Sequence, residues 1–245
     1  MTKKGVCVKA FQMLSSYRCS GSYVIRESYP LPPYSTVIGM VHNVCGFESY
    51  VPMDISVQGI SNSSVSEMYT HYSFTPAVAF DKGRHQLAVK HDDKVYGVNR
   101  GPLHIQLNCE VELLLHIIPH DEKMTEAIEN GLKNPKIYPS LGRYEDILRI
   151  DEVKTVEISD RCIEDTETLK YDAYVEKNYA EEIGINFGTV YRLNKDYDDT
   201  DKKDRRRWMN RIETRFVPKG KIIYEPEDEE SKVYFDSDGN LVFFA

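Results

Sequence analysis

An α+β fold is what the sequence predicts, on three observations. Apolar and β-branched runs with partial alternation recur at Val6–Leu14, Asp54–Tyr72 and His104–Ile118, the pattern of half-buried strands. Two segments, one after Tyr29 and one after Pro119, instead space their apolar residues three or four apart, as core-facing helices do. Past residue 158 the pattern breaks into short runs divided by Pro and Gly, which predicts a small, mostly β region.

Taken in order, Val6–Leu14 is the first strand. Ser15–Ser28 is a polar loop carrying Tyr17, Arg18, Gly21, Tyr23 and Arg26. That mixture suits a surface approached by a phosphate chain, and it equally suits an ordinary loop whose tyrosines pack on the domain. In Tyr29–Phe47, YPLPPYSTVIGMVHNVCGF, the prolines at 30, 32 and 33 force an extended entry, after which Ser35 or Thr36 caps a helix running to about Gly46. Val37, Ile38, Val41 and Val44 form its apolar stripe with Met40 and Cys45 alongside, and Gly39 is expected to leave room for another backbone. Asp54–Tyr72 reads as one or two strands. Phe74–Gly101 interrupts with Pro76, Gly83, Gly97 and Gly101, a long excursion of the kind that is usually functional.

His104–Ile118 is the next strand. His120–Leu132 is a helix with Asp121 as N-cap, Met124, Ala127, Ile128 and Leu132 inward and Gly131 near its end, and Lys136–Ile158 is further strand. The resulting order over residues 1–158 is the βαββαβ of a ferredoxin-like (RRM-type) domain, with both helices on one face and residues 74–101 inserted as a thumb. Val8, Val37, Ile38, Val41, Leu107, Val111, Leu113 and Ile128 are its expected core. Residues 159–245 form the β-rich appendage. Strand pieces between Val175 and Asn194 precede a charge-dense loop, Asn194–Arg207, and short strands at Arg211–Val217, Lys221–Tyr224, Lys232–Phe235 and Leu241–Phe244. Asp238-Gly239-Asn240 marks a hairpin.

Composition narrows the function. The 245 residues suffice for one large domain or a domain with an appendage. No apolar run reaches membrane-span length and the first residues lack a signal-peptide core, so a cytoplasmic protein without membrane contact is expected. Five scattered cysteines without a CxxC pair read as structural thiols, and neither metal nor cofactor is called for. The net charge of −8 argues against a free-standing nucleic-acid binder. Acidic residues crowd Ser140–Asp172 and Asp196–Ser237, the run Glu225–Glu230 reading as a solvated face, whereas Arg84–Gly101 is locally basic.

Walker A, GxGxxG, HExxH and GxSxG patterns are all missing from the sequence. Lys90-His91 is the one candidate catalytic element: in a metal-independent ribonuclease, His acts as general base or acid and Lys stabilises the pentacovalent phosphorane. A tyrosine to complete such a site is not identifiable. His42 reads as a satisfied, semi-buried histidine, His104 opens a strand, and neither has metal-ligand company.

Three segments, YPLPPYSTVIGMVHN from Tyr29, VNRGPLHIQLNCEVELLLHI from Val98 and YPSLGRYEDIL at Tyr138–Leu148, together resemble the fifth Cas family. This is the CRISPR-associated subunit that holds the 5′ end of the guide RNA in type I Cascade, and the spelling is most similar to the type I-B branch. The C-terminal segment carries little motif information. The resemblance implies a non-catalytic subunit of antiviral defence whose ferredoxin-like domain grips the repeat-derived 5′ handle of the guide (CRISPR) RNA. A thumb meets the Cascade backbone subunit, and another surface meets the large subunit.

It further implies phosphate contacts from Arg84, Lys90, Lys94 and Arg100 on the thumb and from Ser35 and Thr36 at the helix N-terminus, completed by Arg18, Arg26 and Arg143. Contact with target DNA is left open. Two alternatives stand beside this reading. One is an endoribonuclease processing repeat RNA through Lys90 and His91, since one branch of the family cuts its own repeat with such residues. The other is a protein-interaction scaffold that never touches RNA, which the lack of a broad basic stripe favours.

Overall fold

The computed structural model describes residues 2–161, 163, 166–198, 207–224 and 232–245, with only the backbone path given at 75–77, 198 and 207. Cys162, the run Glu225–Glu230 and residues 199–206 of the charge-dense loop lie outside the described residues. The chain opens on β1 (Lys3–Ser15) and the two-residue β2 (Ile25–Arg26), then helix α1 (Tyr34–Cys45). Two long strands, β3 (Met53–Ala79) and β5 (Lys94–Pro119), enclose the short β4 (Leu87–His91), and α2 (Met124–Lys133) and β6 (Arg149–Arg161) follow. The second half runs β7 (Thr166–Thr168), β8 (Asp172–Glu176), α3 (Lys177–Glu182), β9 (Thr189–Asn194), β10 (Tyr197–Asp198) and β11 (Arg207–Trp208). It ends with β12 (Arg211–Val217), β13 (Ile222–Tyr224), β14 (Val233–Asp236) and β15 (Leu241–Val242).

One sheet organises both halves, in the order β15-β14-β6-β1-β5-β3-β8-β12-β9. Its centre, β6-β1-β5-β3, comes from the first half, and second-half strands extend it at both edges. Period-two alternation sorts the central side chains. Val6, Val8 and Ala10 of β1, Ile55 and Val57 of β3, and Leu113, Leu115 and Ile117 of β5 share a core with Val37, Ile38 and Val41 of α1 and Ile128 and Leu132 of α2. Both helices therefore cover one face, and all eight expected core residues are buried. On the other face Cys7, Leu114, Ile118, Val156 and Ile158 pack with Val242. The terminal segment is tied across that face by Gln58 Nε2 donating to the Leu241 carbonyl (2.6 Å) and Phe243 N–H to Ser56 Oγ (3.1 Å).

Several local expectations are corrected. Pro33, not Ser35 or Thr36, occupies the N-cap of α1 without any side-chain cap, because its fixed φ of −58° already sets the entry; Gly46 ends the helix in the left-handed region at φ 69°. A Cβ added at Gly39 would meet nothing, so this glycine opens onto a cleft and packs no backbone. The close approach between helices is at Gly131, where a Cβ would fall 2.7 Å from Cys45 Sγ. Helix α2 starts at Met124; Asp121 lies ahead of it, accepting from Lys123 N–H, and Ala127 is exposed. Residues 134–148 form a loop before β6, and α3 takes part of a stretch expected to hold only strands.

The largest correction concerns the excursion. β3 and β5 pair in one register from Met53↔Pro119 to Phe74↔Val98, skipping only the Asn62/Glu110 position, so the thumb is the far end of one long hairpin, with β4 folded back on its tip. His104 accordingly lies mid-strand. From Asn62 to Phe74 nearly every side chain is exposed, and the polar and β-branched residues there satisfy a strand without marking a buried face. At that skipped position Glu110 sits at φ 50°, outside the strand region, and its carboxylate accepts from Asn62 Nδ2 at 2.7 Å; β5 stays paired with β1 to Asn108 and with β2 to His104.

Candidate functional site

The exposed side of α1 forms one wall of an open groove of about 1020 Å³. Ser35 and Thr36 in the first turn, then Gly39 and Asn43, line it, while Val37, Ile38 and Val41 hold the opposite side of the helix in the core. Two loops form the rim. One carries Arg18 and Ser20; the other carries Ser140 and Gly142. The remaining wall is the sheet edge at β9 and β12, with Arg192, Asn194 and Arg211, and the β10–β11 ladder, with Tyr197 and Trp208.

The rim is held from beneath. Buried Asp146 accepts Ser16 N–H (2.9 Å), Arg143 N–H (2.9 Å) and the Arg143 guanidinium (2.6 Å from Nη2), joining the two loops. Gln12 Nε2 donates to the Leu141 and Asp146 carbonyls, both at 2.9 Å, and its Oε1 accepts Tyr17 O–H at 2.6 Å. Tyr17 is thus a core residue, as the plainer reading of its loop has it, whereas Tyr23 is exposed.

Electrostatically the groove differs from the protein around it. Among the described residues three arginines line it and no carboxylate does, in a chain of net charge −8. Among the described residues none of Arg18, Arg192 and Arg211 is paired with a carboxylate. Glu213, opposite Arg192 on β12, reaches Lys177 instead (3.3 Å). His42, beneath the groove, has both ring nitrogens engaged, Nδ1 with the Ile38 carbonyl (2.8 Å) and Nε2 with Val51 N–H (2.9 Å). That pattern fits a neutral imidazole donating from Nδ1.

The structure thus brings Arg18, Ser35 and Thr36 together. Arg26 bonds the Tyr69 hydroxyl at the base of the arm (2.8 Å), and Arg143 is committed to Asp146 and Glu145. Arg84, Lys90, Lys94 and Arg100 lie on the arm, exposed. Lys90 and His91 are consecutive in β4 and so face opposite sides; Lys94 is the lysine across from His91, and Tyr96 follows on that same face. Arg192, Arg211 and Trp208 escaped sequence reading. Alternation of Arg192 and Asn194 around buried Leu193 marks one open strand face, yet nothing in the sequence says which surface faces it.

A second cluster is buried. Cys7, His116 and Asp236 place their ligand atoms within 4.8 Å of one another. Asp236 already accepts His116 Nε2 (3.0 Å), Asp238 N–H (2.9 Å), and the backbone (2.8 Å) and amide (2.9 Å) of Asn240. With its lone pairs so filled, it acts as a polar lock fastening the β14–β15 hairpin to β5. Burial would raise its pKa, but the hydrogen bonds from His116 and Asn240 outweigh that and hold it well below the usual carboxylate range. Burial pushes the thiols up, Cys7 to about 12 and Cys19 and Cys45 to about 11, so none of these supplies a thiolate near neutral pH. No helix among the described residues is long and apolar enough to cross a membrane.

Residues 5–219 match the family described as CRISPR-associated protein (Cas_Cas5). The chain belongs to the Cas5 family. Among solved structures it is similar to a chain of a CRISPR RNA-guided surveillance complex, at 17% identity with a TM-score of 0.55, covering 89% of this chain and 91% of that one. A CRISPR protein from Archaeoglobus fulgidus aligns over 98% of this chain and 97% of its own, at 12% identity and a TM-score of 0.46. No curated protein sequence matches. This Cas5 family member therefore shares the mixed, sheet-dominated fold of a CRISPR effector subunit, and its groove is the concave surface to be explained.

Proposed function

We propose that this Cas5 protein is a non-catalytic Cascade subunit that binds and caps the 5′ handle of the guide RNA. It joins the backbone and large subunits, acts in the cytoplasm in antiviral defence, and is of the I-B type that its motifs resemble. The observation that carries this reading is the groove: among the described residues, three arginines without a carboxylate partner and the hydroxyls of the α1 first turn converge on a cleft that no carboxylate lines, in an acidic chain. Such a site attracts phosphates locally while the rest of the surface discourages non-specific binding. The strand order β6-β1-β5-β3 with both helices on one face supports a ferredoxin-like (RRM-type) unit over residues 1–158, with 159–245 as the appendage supplying the second groove wall.

The test is assembly of Cascade on guide RNA across a salt series. Replacing Arg18, Arg192 and Arg211 with Gln is expected to weaken assembly and flatten the log–log salt slope by about 2, at roughly 0.7 per lost single-strand phosphate contact. An unchanged slope would sink the groove as the phosphate site. A second reading, metal-independent cleavage of repeat RNA, is favoured by one observation: His91, Lys94 and Tyr96 share a face of the arm tip. Metal-free cutting of repeat RNA that His91→Ala abolishes would establish it.

A further inference from the structure

Trp208 is the single tryptophan of the chain, half-buried in the groove wall that also holds Arg211. The β10–β11 ladder sets it opposite Tyr197, and the two rings meet edge to face at 6.3 Å and 82°. Tyr197 meets Tyr50 edge-on at 5.1 Å, and Tyr50 stacks on His42 of α1 at 5.5 Å and 17°. A relay of rings therefore braces the indole from the helix that forms the other wall. An indole needed only for packing would be covered; this one is supported from behind and still lines the cleft. Its company is guanidinium groups suited to phosphates and, at Asn194, an amide suited to a base edge. A braced aromatic ring beside cations in an open cleft is the arrangement that holds unpaired nucleotides.

We infer that Trp208 stacks on one unpaired base of the bound RNA, with Arg192 and Arg211 on the phosphates flanking it. This deepens the RNA-binding reading above and rests on it. Stacking tolerates any base, because every base has a π-face, but it requires that a base be present.

The test uses the full-length protein and a single-stranded RNA carrying the repeat-derived handle, with each nucleotide in turn made abasic. The expected result is saturable quenching of the single indole by the intact RNA, lost at one abasic position. Trp208→Ala should weaken binding roughly 5- to 150-fold with the salt slope unchanged, and Trp208→Phe should recover most of it. Quenching is read on the unaltered protein, so a folding defect in the alanine variant does not obscure the outcome. Tight RNA binding with an unquenched indole overturns the stack and leaves the RNA reading standing; Cascade assembly on guide RNA that neither Trp208→Ala nor loss of the three groove arginines weakens overturns the stack and the groove site together.

Discussion

The arm and the groove are both basic, but in different senses. On the arm the charge is concentrated in sequence: Arg84, Lys90, Lys94 and Arg100 fall within a short stretch, interspersed with Asp81, Asp92 and Asp93 and open to solvent. In the groove the charge is concentrated in space. Arg18 lies far in the chain from Arg192 and Arg211, and folding alone brings the three to one cleft that no carboxylate among the described residues lines. Exposed charges in water are screened within about 10 Å, whereas a concave wall focuses their field. A cluster visible in the sequence is therefore a weaker guide to an anion site than one assembled by the fold.

The largest expected effect tests whether the two regions share a frame. Asp236→Ala strips His116 and the Asn240 turn of their acceptor inside the core and should cost about 3–5 kcal/mol in denaturant unfolding. Groove and arm base should then be lost in one transition; separate transitions would show them to be independent units. Next, Asp146→Ala should cost about 2–3 kcal/mol, because Ser16 N–H and Arg143 lose their partner, and should weaken RNA binding while sparing the arm. Equal loss at both regions would erase the distinction.

The acid limb of stability comes next. Asp236 titrates below its ordinary value of 3.8 in the folded protein, so its contribution is complete above about pH 4 and is lost as the pH falls through the lower folded-state value. Asp54 adds in the same direction, since hydrogen bonds from His120 and Lys195 outweigh its burial. Asp236→Asn should flatten that limb in a pH series of melts; an unchanged limb would place the titrating group elsewhere. A smaller effect of opposite sign is expected at Gly39, where Gly39→Ala should stabilise α1 by about 0.5–1 kcal/mol because the new methyl meets only open cleft. Gly39→Leu should keep the fold and obstruct RNA, so weakened stability with intact binding would contradict the groove. Smallest of all, neutralising Lys90, Lys94 and Arg100 should leave the denaturation midpoint where it was and lower RNA affinity less than the groove triple does.

Much of the frame was legible in the sequence because burial imposes periodicity. The prolines before α1, the stripe Val37-Ile38-Val41 and the alternation in β1 and β5 each follow from one face meeting a core. The arm was legible only at its base, since a hairpin solvated on both faces has no apolar alternation to read. Gly101 suggested interruption where it in fact pairs with His71 inside the ladder, whereas Pro76 does fall where the register shifts, between Phe74 and Ala79. Gly97 is explained by His85, whose ring would fall 2.2 Å from a Cβ there. In the site, Arg18, Ser35 and Thr36 flank the motif-bearing segment and could be named. Arg192 and Arg211 could not, because strand alternation gives a face and not the partner across it.

Glu110 ties the two strands of the arm near its root. A non-glycine residue at φ 50° lies outside the strand conformation, and its bond to Asn62 holds β3 and β5 together at the one position their pairing skips. Beyond His104, the last position at which β2 holds β5, the strand to Lys94 reaches about 30 Å at ~3.3 Å per residue, so a swing of about 10° carries the tip through about 5 Å. The arm is in this respect a lever held at the edge of the sheet. Whatever grips the far end gains mechanical advantage over the sheet, and the length of the free strand sets how far away that neighbour must stand.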